Sequence, residues 1–143
     1  MKKSIIFLFV FVLFAVSGNC KRDKTIGDPT IGEPVIGELK VEDIRIGDGE
    51  VLRREDKAVM HYKGWLTDGY QFANTYKSGS PLIATFGMHM LIKGWEQGLP
   101  GMRVGGVRKL TIPPHLAYGK RGQRNMPPHA TLIFEVKLVN ILH

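Results

Sequence analysis

The sequence predicts an α+β domain, an antiparallel sheet wrapped over one short helix, and two observations predict it. Period-2 alternation of apolar residues recurs between residues 58 and 142, whereas only residues 90–99 carry helical spacing. A helix of barely two turns is not stable in isolation, so the concave face of the sheet must hold it.

Ahead of the sheet pattern, "MKKSIIFLFVFVLFAVSGNC" has Lys2 and Lys3, twelve apolar residues at 5–16, then Ser17 and Gly18. That is the layout of an export signal over residues 1–19, too short for a comfortable transmembrane helix. An uncleaved anchor is the competing reading. Cys20 is the only cysteine, so an intramolecular disulfide is impossible. Its place directly after the small residues resembles the lipobox of bacterial lipoproteins, in which the sulfur is acylated and becomes the new N-terminus. Asn19 and Ser17 depart from that pattern, and an ordinary signal cleaved nearby is the alternative. The resemblance implies an exported protein of the bacterial cell envelope, with the membrane as a partner through a lipid at Cys20.

Residues 20–40 read as the lipid-attachment cysteine followed by a semi-flexible tether. The tether repeats every five residues, as Ile26-Gly-Asp-Pro, Ile31-Gly-Glu-Pro and Ile36-Gly-Glu-Leu. Pro29 and Pro34 favour extended, solvated chain, although the isoleucines would also suit a docked edge strand.

The domain occupies residues 41–143, long enough for one core. Its strands are read in turn from "AVMHYKGWL" at 58–66, "YQFANTY" at 70–76 (a hairpin partner or a strand leading into a loop), and "PLIATFG", which alternates Leu82, Ala84 and Phe86. "VRKLTIPP" is stopped by two prolines, and "TLIFEVKLVNI" sets Leu132, Phe134, Val136 and Leu138 on one face. The helix candidate, "LIKGWEQGLPGM" and its flank, puts Ile92, Trp95 and Leu99 on a single stripe despite glycines at 94, 98 and 101. Trp95 is its largest group, and core filling would account for it.

The domain carries 14 Lys plus Arg against 9 Asp plus Glu, and no acid occurs between Glu96 and Glu135. The basic residues show no aromatic interleaving and no nucleic-acid motif, so a solvated face is expected and no nucleic acid. Contact with anionic lipid headgroups is a lesser alternative for a tethered domain. His61, His89, His115, His129 and His143 lack metal-ligand spacing, and no phosphate loop or G-x-S-x-G occurs.

In order and separation, "VMHYKG", "DGYQF", "PLIATFG", "LIKGWEQGLPGM", "LTIPPHLAYG" and "PPHATLIFEVKL" resemble the FKBP-type peptidyl-prolyl cis-trans isomerases, the immunophilins that bind tacrolimus and rapamycin. The resemblance covers nearly all of 41–142. It implies a five- or six-stranded antiparallel sheet curled around one short helix, no cofactor, and proline-containing segments of exported proteins as partners. It also implies that Trp95 is the floor of a proline-sized pocket, that Tyr62, Phe72, Leu91, Ile92 and Phe134 are walls, and that Tyr118 sets a hydroxyl at the rim. Tyr118, Phe72, Trp95 and Phe134 would carry turnover. Leu82 stands where an aromatic wall is usual, and Met126 is the expected apolar lip of a loop about one residue shorter than in the best-known members.

The departures are specific. Ala73 stands where the family usually has an aspartate that contacts the macrolide, and Ser78 where a basic partner of that aspartate is common. Weak macrolide binding is therefore expected, and a non-catalytic proline-binding or chaperone module is the alternative function. The Gly/Pro repeat cannot form the long N-terminal helix through which some exported relatives dimerise, so a monomer is expected.

Overall fold

The computed structural model describes residues 37–143. The expected export signal, Cys20 and the isoleucine repeat as far as residue 36 lie outside the described residues. Within them, six strands form one antiparallel sheet: β1 (Lys40–Arg45), β2 (Lys57–Leu66), β3 (Gln71–Asn74), β4 (Leu82–Thr85), β5 (Val107–Ile112) and β6 (Leu132–Leu142). The remaining elements are α1 (Thr75–Ser78), α2 (Lys93–Gly98) and a 3-10 turn at Pro114–Leu116. The order across the sheet is β1-β5-β6-β2-β3. β3 pairs with residues 63–65 of β2 and β4 with residues 57–60, so the two short strands share one edge.

The two long strands make the fold because their alternation gives each one apolar face. Leu132, Phe134, Val136 and Leu138 of β6 are buried, and so are Ala58, Met60 and Leu66 of β2. The β2–β6 register sets Tyr62 opposite Val136 and Gly64 opposite Phe134, which fixes the neighbours of the aromatic residues. Register shifts between Asp43 and Arg45, Val59 and Met60, and Gly64 and Trp65 are bulge-like irregularities, the device that bends strands and raises twist. The sheet thereby curls over α2.

α2 is shorter than the sequence spacing predicts, six residues in place of the whole of 90–99. The cause is local: Ile92 is extended (φ −62°, ψ 150°), so helical geometry starts only at Lys93. The carbonyl of Ile92 accepts from the N–H groups of both Trp95 and Glu96, which closes the first turn. Gly94 and Gly98 are explained by proximity to β5. A Cβ on Gly94 would collide with the Ile112 side chain, and one on Gly98 would lie 2.7 Å from Leu110 Cδ2. The glycines that weaken the helix let it lie directly on the sheet, where Trp95 and Leu99 are buried.

Two features were not foreseen. β1 begins at Lys40, and Leu39 already packs against the core, so the last described residues of the expected tether belong to the domain. After β3 the chain forms α1, capped by Asn74, whose Oδ1 accepts from the N–H groups of Tyr76 and Lys77.

Candidate active site

Three aromatic rings meet above α2. Trp95, held at 3% exposure, lies edge-on to Tyr62 (centroids 5.0 Å apart, planes at 88°) and to Phe134 (5.2 Å, 89°). Tyr62 and Phe134 are 6.0 Å apart at 61°. Edge-to-face contacts of this kind add about 0.5–1.5 kcal/mol per pair beyond area burial, so the cluster is a rigid wall.

Each ring is placed by its strand. Tyr62 lies inward on β2, and on that strand's open edge Thr75 Oγ1 accepts from the Tyr62 N–H (2.8 Å) and donates to the Tyr62 carbonyl (3.2 Å). Thr75, the first residue of α1, thus replaces the missing ladder contact between β3 and β4. Tyr118 is delivered by "IPPHLAYG". Pro113 and Pro114 end β5 and start the 3-10 turn, Gly119 (φ +57°) bonds back to the Pro114 carbonyl, and His129 N–H bonds to the Gly119 carbonyl.

The rings wall a cavity of about 430 Å³ lined by Tyr62, Leu82, Met90, Leu91, Ile92, Trp95, Tyr118, Gln123 and Phe134. Seven of the nine side chains expected at the pocket are in that lining. Phe72 is not in it; it stands behind Phe134, edge-on at 5.5 Å, and faces a separate depression. Met126 is also outside the lining. Its loop closes through paired backbone hydrogen bonds between Gln123 and Met126, Met126 packs against the core, and Gln123 lies at the cavity. The sequence does not single out Met90 and Gln123: its spacing reads Met90 as the start of a helix that begins only at Lys93, and Gln123 lies in a loop whose pattern marks no facing side.

The lining is uncharged. Burial, and then the neighbouring Tyr62, push the Tyr118 phenol above its ordinary value, so it stays a neutral hydrogen-bond donor throughout the physiological range. The indole N–H of Trp95 is buried without an acceptor among the described residues, a cost of about 1–3 kcal/mol. Core filling alone does not account for accepting that cost, since Phe or Leu would avoid it. A place in the lining of the cavity does.

Gly64 is a further site residue that sequence reasoning passed over. It occupies an inward position of β2 between Tyr62 and Leu66. A Cβ there would lie 2.7 Å from Phe72 Cζ, 2.8 Å from Phe72 Cε2 and 3.0 Å from Phe134 Cε1. Only a side-chain-free residue lets both rings cross the strand. The signal was available: an isolated glycine inside a strand marks a close approach.

The two sequence departures meet in space. Ala73, paired with Gly64, and Ser78 share a shallow depression of about 380 Å³ with Gln71, Phe72, Asn74 and Lys77. Ser78 donates its hydroxyl to the Thr75 carbonyl, so it is not left unpaired.

Comparison with known proteins gives a consistent picture. The model of the family "FKBP-type peptidyl-prolyl cis-trans isomerase" matches residues 49–139. FK506-binding protein 1A of Neurospora crassa is 52% identical over 90 residues, covering 62% of this chain and 75% of its own length. An FK506-binding protein of Neisseria meningitidis serogroup A is 45% identical over 96 residues, covering 66% of this chain and 88% of its own. The crystal structure of FkpA from Escherichia coli superposes with a TM-score of 0.66 at 43% identity, over 72% of this chain and 47% of that one.

Proposed function

The chain belongs to the FKBP-type peptidyl-prolyl cis-trans isomerase family, and on that premise we propose that it accelerates X-Pro rotation in exported proteins by desolvating the amide in the cavity over Trp95. Rotation about a peptide C–N bond must break amide resonance at a cost of about 18–20 kcal/mol. Uncatalysed X-Pro isomerisation takes tens of seconds or longer. The twisted transition state lacks the charge-separated resonance form and is the less polar species. A lining of Tyr62, Leu91, Ile92, Trp95 and Phe134 that strips water from the amide therefore favours it over the planar ground state. The neutral Tyr118 phenol donates to a substrate carbonyl and holds the peptide bent. Each tenfold of rate asks for about 1.4 kcal/mol of such preference.

The observation that carries the reading is the uncharged aromatic cavity with the neutral Tyr118 phenol in its lining. A protease-coupled assay on short X-Pro peptides tests it: saturable acceleration supports turnover, and none by a folded protein refutes it. Ala73 favours a second reading, a module that binds proline segments without turnover, and the same assay separates the two. Tacrolimus and rapamycin are proposed ligands of the same cavity, bound weakly because residue 73 offers no carboxylate.

The sequence supports an exported, monomeric lipoprotein anchored through Cys20, with the domain presented to the cell envelope. Mass spectrometry of the mature N-terminus tests this reading. A diacylglyceryl group on Cys20 supports it, and an unmodified N-terminus excludes it.

A further inference from the structure

Away from the aromatic cavity, a second and smaller hollow of about 170 Å³ is lined by Asp43, Arg45, Ile46, Gly47, Gly101, Met102, Arg103, Gly106 and Arg108. Three arginines thus share the hollow with a single acidic residue. That carboxylate is already committed, because Arg108 grips Asp43 with Nε (2.6 Å) and a terminal nitrogen (3.0 Å). Arg108 is also tied to the Gly98 carbonyl at the end of α2 (2.8 Å), and its side chain is only 12% exposed. It is the fixed member of the group.

Arg45 and Arg103 are differently placed. Arg45 spends Nε and one terminal nitrogen on the Gly105 carbonyl, and Arg103 spends one terminal nitrogen on the Gly49 carbonyl. Neither has a carboxylate partner among the described residues. A guanidinium offers five N–H donors in a planar fork that matches an oxyanion, so both retain donors after these contacts. These backbone contacts restrain the two heads, which lowers the ordering cost of gripping a ligand.

Glycines let the backbone segments at the edge of the hollow pack closely. A Cβ on Gly47 would collide with the chain at Arg103 to Gly106, and one on Gly106 would lie 2.9 Å from the Arg103 carbonyl. The loops carrying Arg45 and Arg103 are therefore locked backbone to backbone around the hollow. Asp48, in the adjoining loop, is not part of the lining.

From this geometry we infer that the Arg45–Arg103–Arg108 hollow is a binding site for a phosphate group. The net charge of its lining is positive, its volume suits a small oxyanion, and its unspent donors belong to the residue type best matched to phosphate. The phosphate has two possible sources, free phosphate in solution or a phosphomonoester lipid headgroup at the membrane surface. Arg45 and Arg103 are solvent-facing, so binding is salt-sensitive and of modest affinity.

The test uses the full chain with Arg45→Gln and Arg103→Gln made singly, which spares Arg108 and its role in holding β1 to β5. Circular dichroism and X-Pro turnover, both expected unchanged, report that each variant is folded. Inorganic phosphate is titrated at constant ionic strength against chloride, and vesicles of phosphatidylcholine with and without phosphatidic acid are tested by flotation. Saturable phosphate binding that weakens at least tenfold in each variant supports the site with free phosphate as ligand. No saturable phosphate binding, but flotation that requires phosphatidic acid and is lost in each variant, supports it with the lipid headgroup as ligand. Binding no stronger than the chloride control in both arms, or binding undiminished in both variants, overturns it.

Discussion

Gly64→Ala probes the packing that sets the pocket wall. The added methyl would sit 2.7 and 2.8 Å from two Phe72 ring carbons and 3.0 Å from Phe134 Cε1. Contacts under 3.0 Å between carbons cannot persist, and Phe134 cannot simply swing aside, since it is pinned against Trp95 at 5.2 Å and against Tyr62 at 6.0 Å, while Phe72 packs edge-on against Phe134 itself. Overpacking of this kind costs about 1–3 kcal/mol. Opposing it, replacing glycine by alanine restricts the unfolded chain and returns about 0.4–1 kcal/mol. The net expectation is a loss of about 1–2 kcal/mol, measured by urea denaturation as a lower midpoint at unchanged slope. Because any strain passed to Phe134 reaches a cavity wall, kcat/KM for an X-Pro peptide should fall by up to about tenfold, the equivalent of about 1.4 kcal/mol. A variant within about 0.5 kcal/mol of the parent and with unchanged kcat/KM would refute the claim that residue 64 keeps space for the two rings.

Tyr118→Phe should leave the fold intact while lowering kcat/KM on X-Pro peptides; unchanged turnover over several peptides would remove the phenol from the mechanism. The raised Tyr118 pKa makes a separate statement about stability: its contribution is complete below the ordinary tyrosine pKa of about 10 and is lost as pH climbs through the higher folded value. Alkaline denaturation should therefore erode the parent more than Tyr118→Phe, and identical alkaline limbs would contradict the assignment. Ala73→Asp restores a charge-assisted hydrogen bond typically worth about 1.5–3 kcal/mol, so tacrolimus affinity measured by calorimetry should rise about ten- to a hundredfold. Equal affinity in parent and variant would show that residue 73 is not the determinant. Cys20→Ser should move the protein from the detergent phase to the soluble fraction, and a parent already soluble would end the lipoprotein reading.

What was legible in the sequence follows from how each element is stabilised. β2 and β6 could be read because burial on one face writes itself as alternation, as in Leu132, Phe134, Val136 and Leu138. Trp95 could be placed because one stripe of a short helix has a single large group. The trimming of α2 could not be foreseen, since the extended backbone at Ile92 leaves no mark on the apolar spacing. Nor could α1, whose one turn depends on the Asn74 cap and on Thr75 reaching the Tyr62 backbone across the edge of the sheet. Phe72 and Met126, also carried over by motif, pack against the core beside the cavity residues, Phe72 edge-on to Phe134. The arginine hollow was the least visible feature. Arg45 is distant in the chain from Arg103 and Arg108 and joins them because β1 pairs with β5.

Two-dimensional NMR exchange spectroscopy of a short X-Pro peptide with the full chain, followed through the proline resonances, tests the central claim most directly. It observes cis/trans interconversion without a coupling protease. The account predicts exchange cross-peaks that grow with protein concentration while the cis-to-trans ratio of the free peptide stays fixed, and that diminish in Tyr118→Phe. Shifted or broadened peptide resonances with no exchange above the uncatalysed rate would mean that the cavity over Trp95 binds proline without turning it.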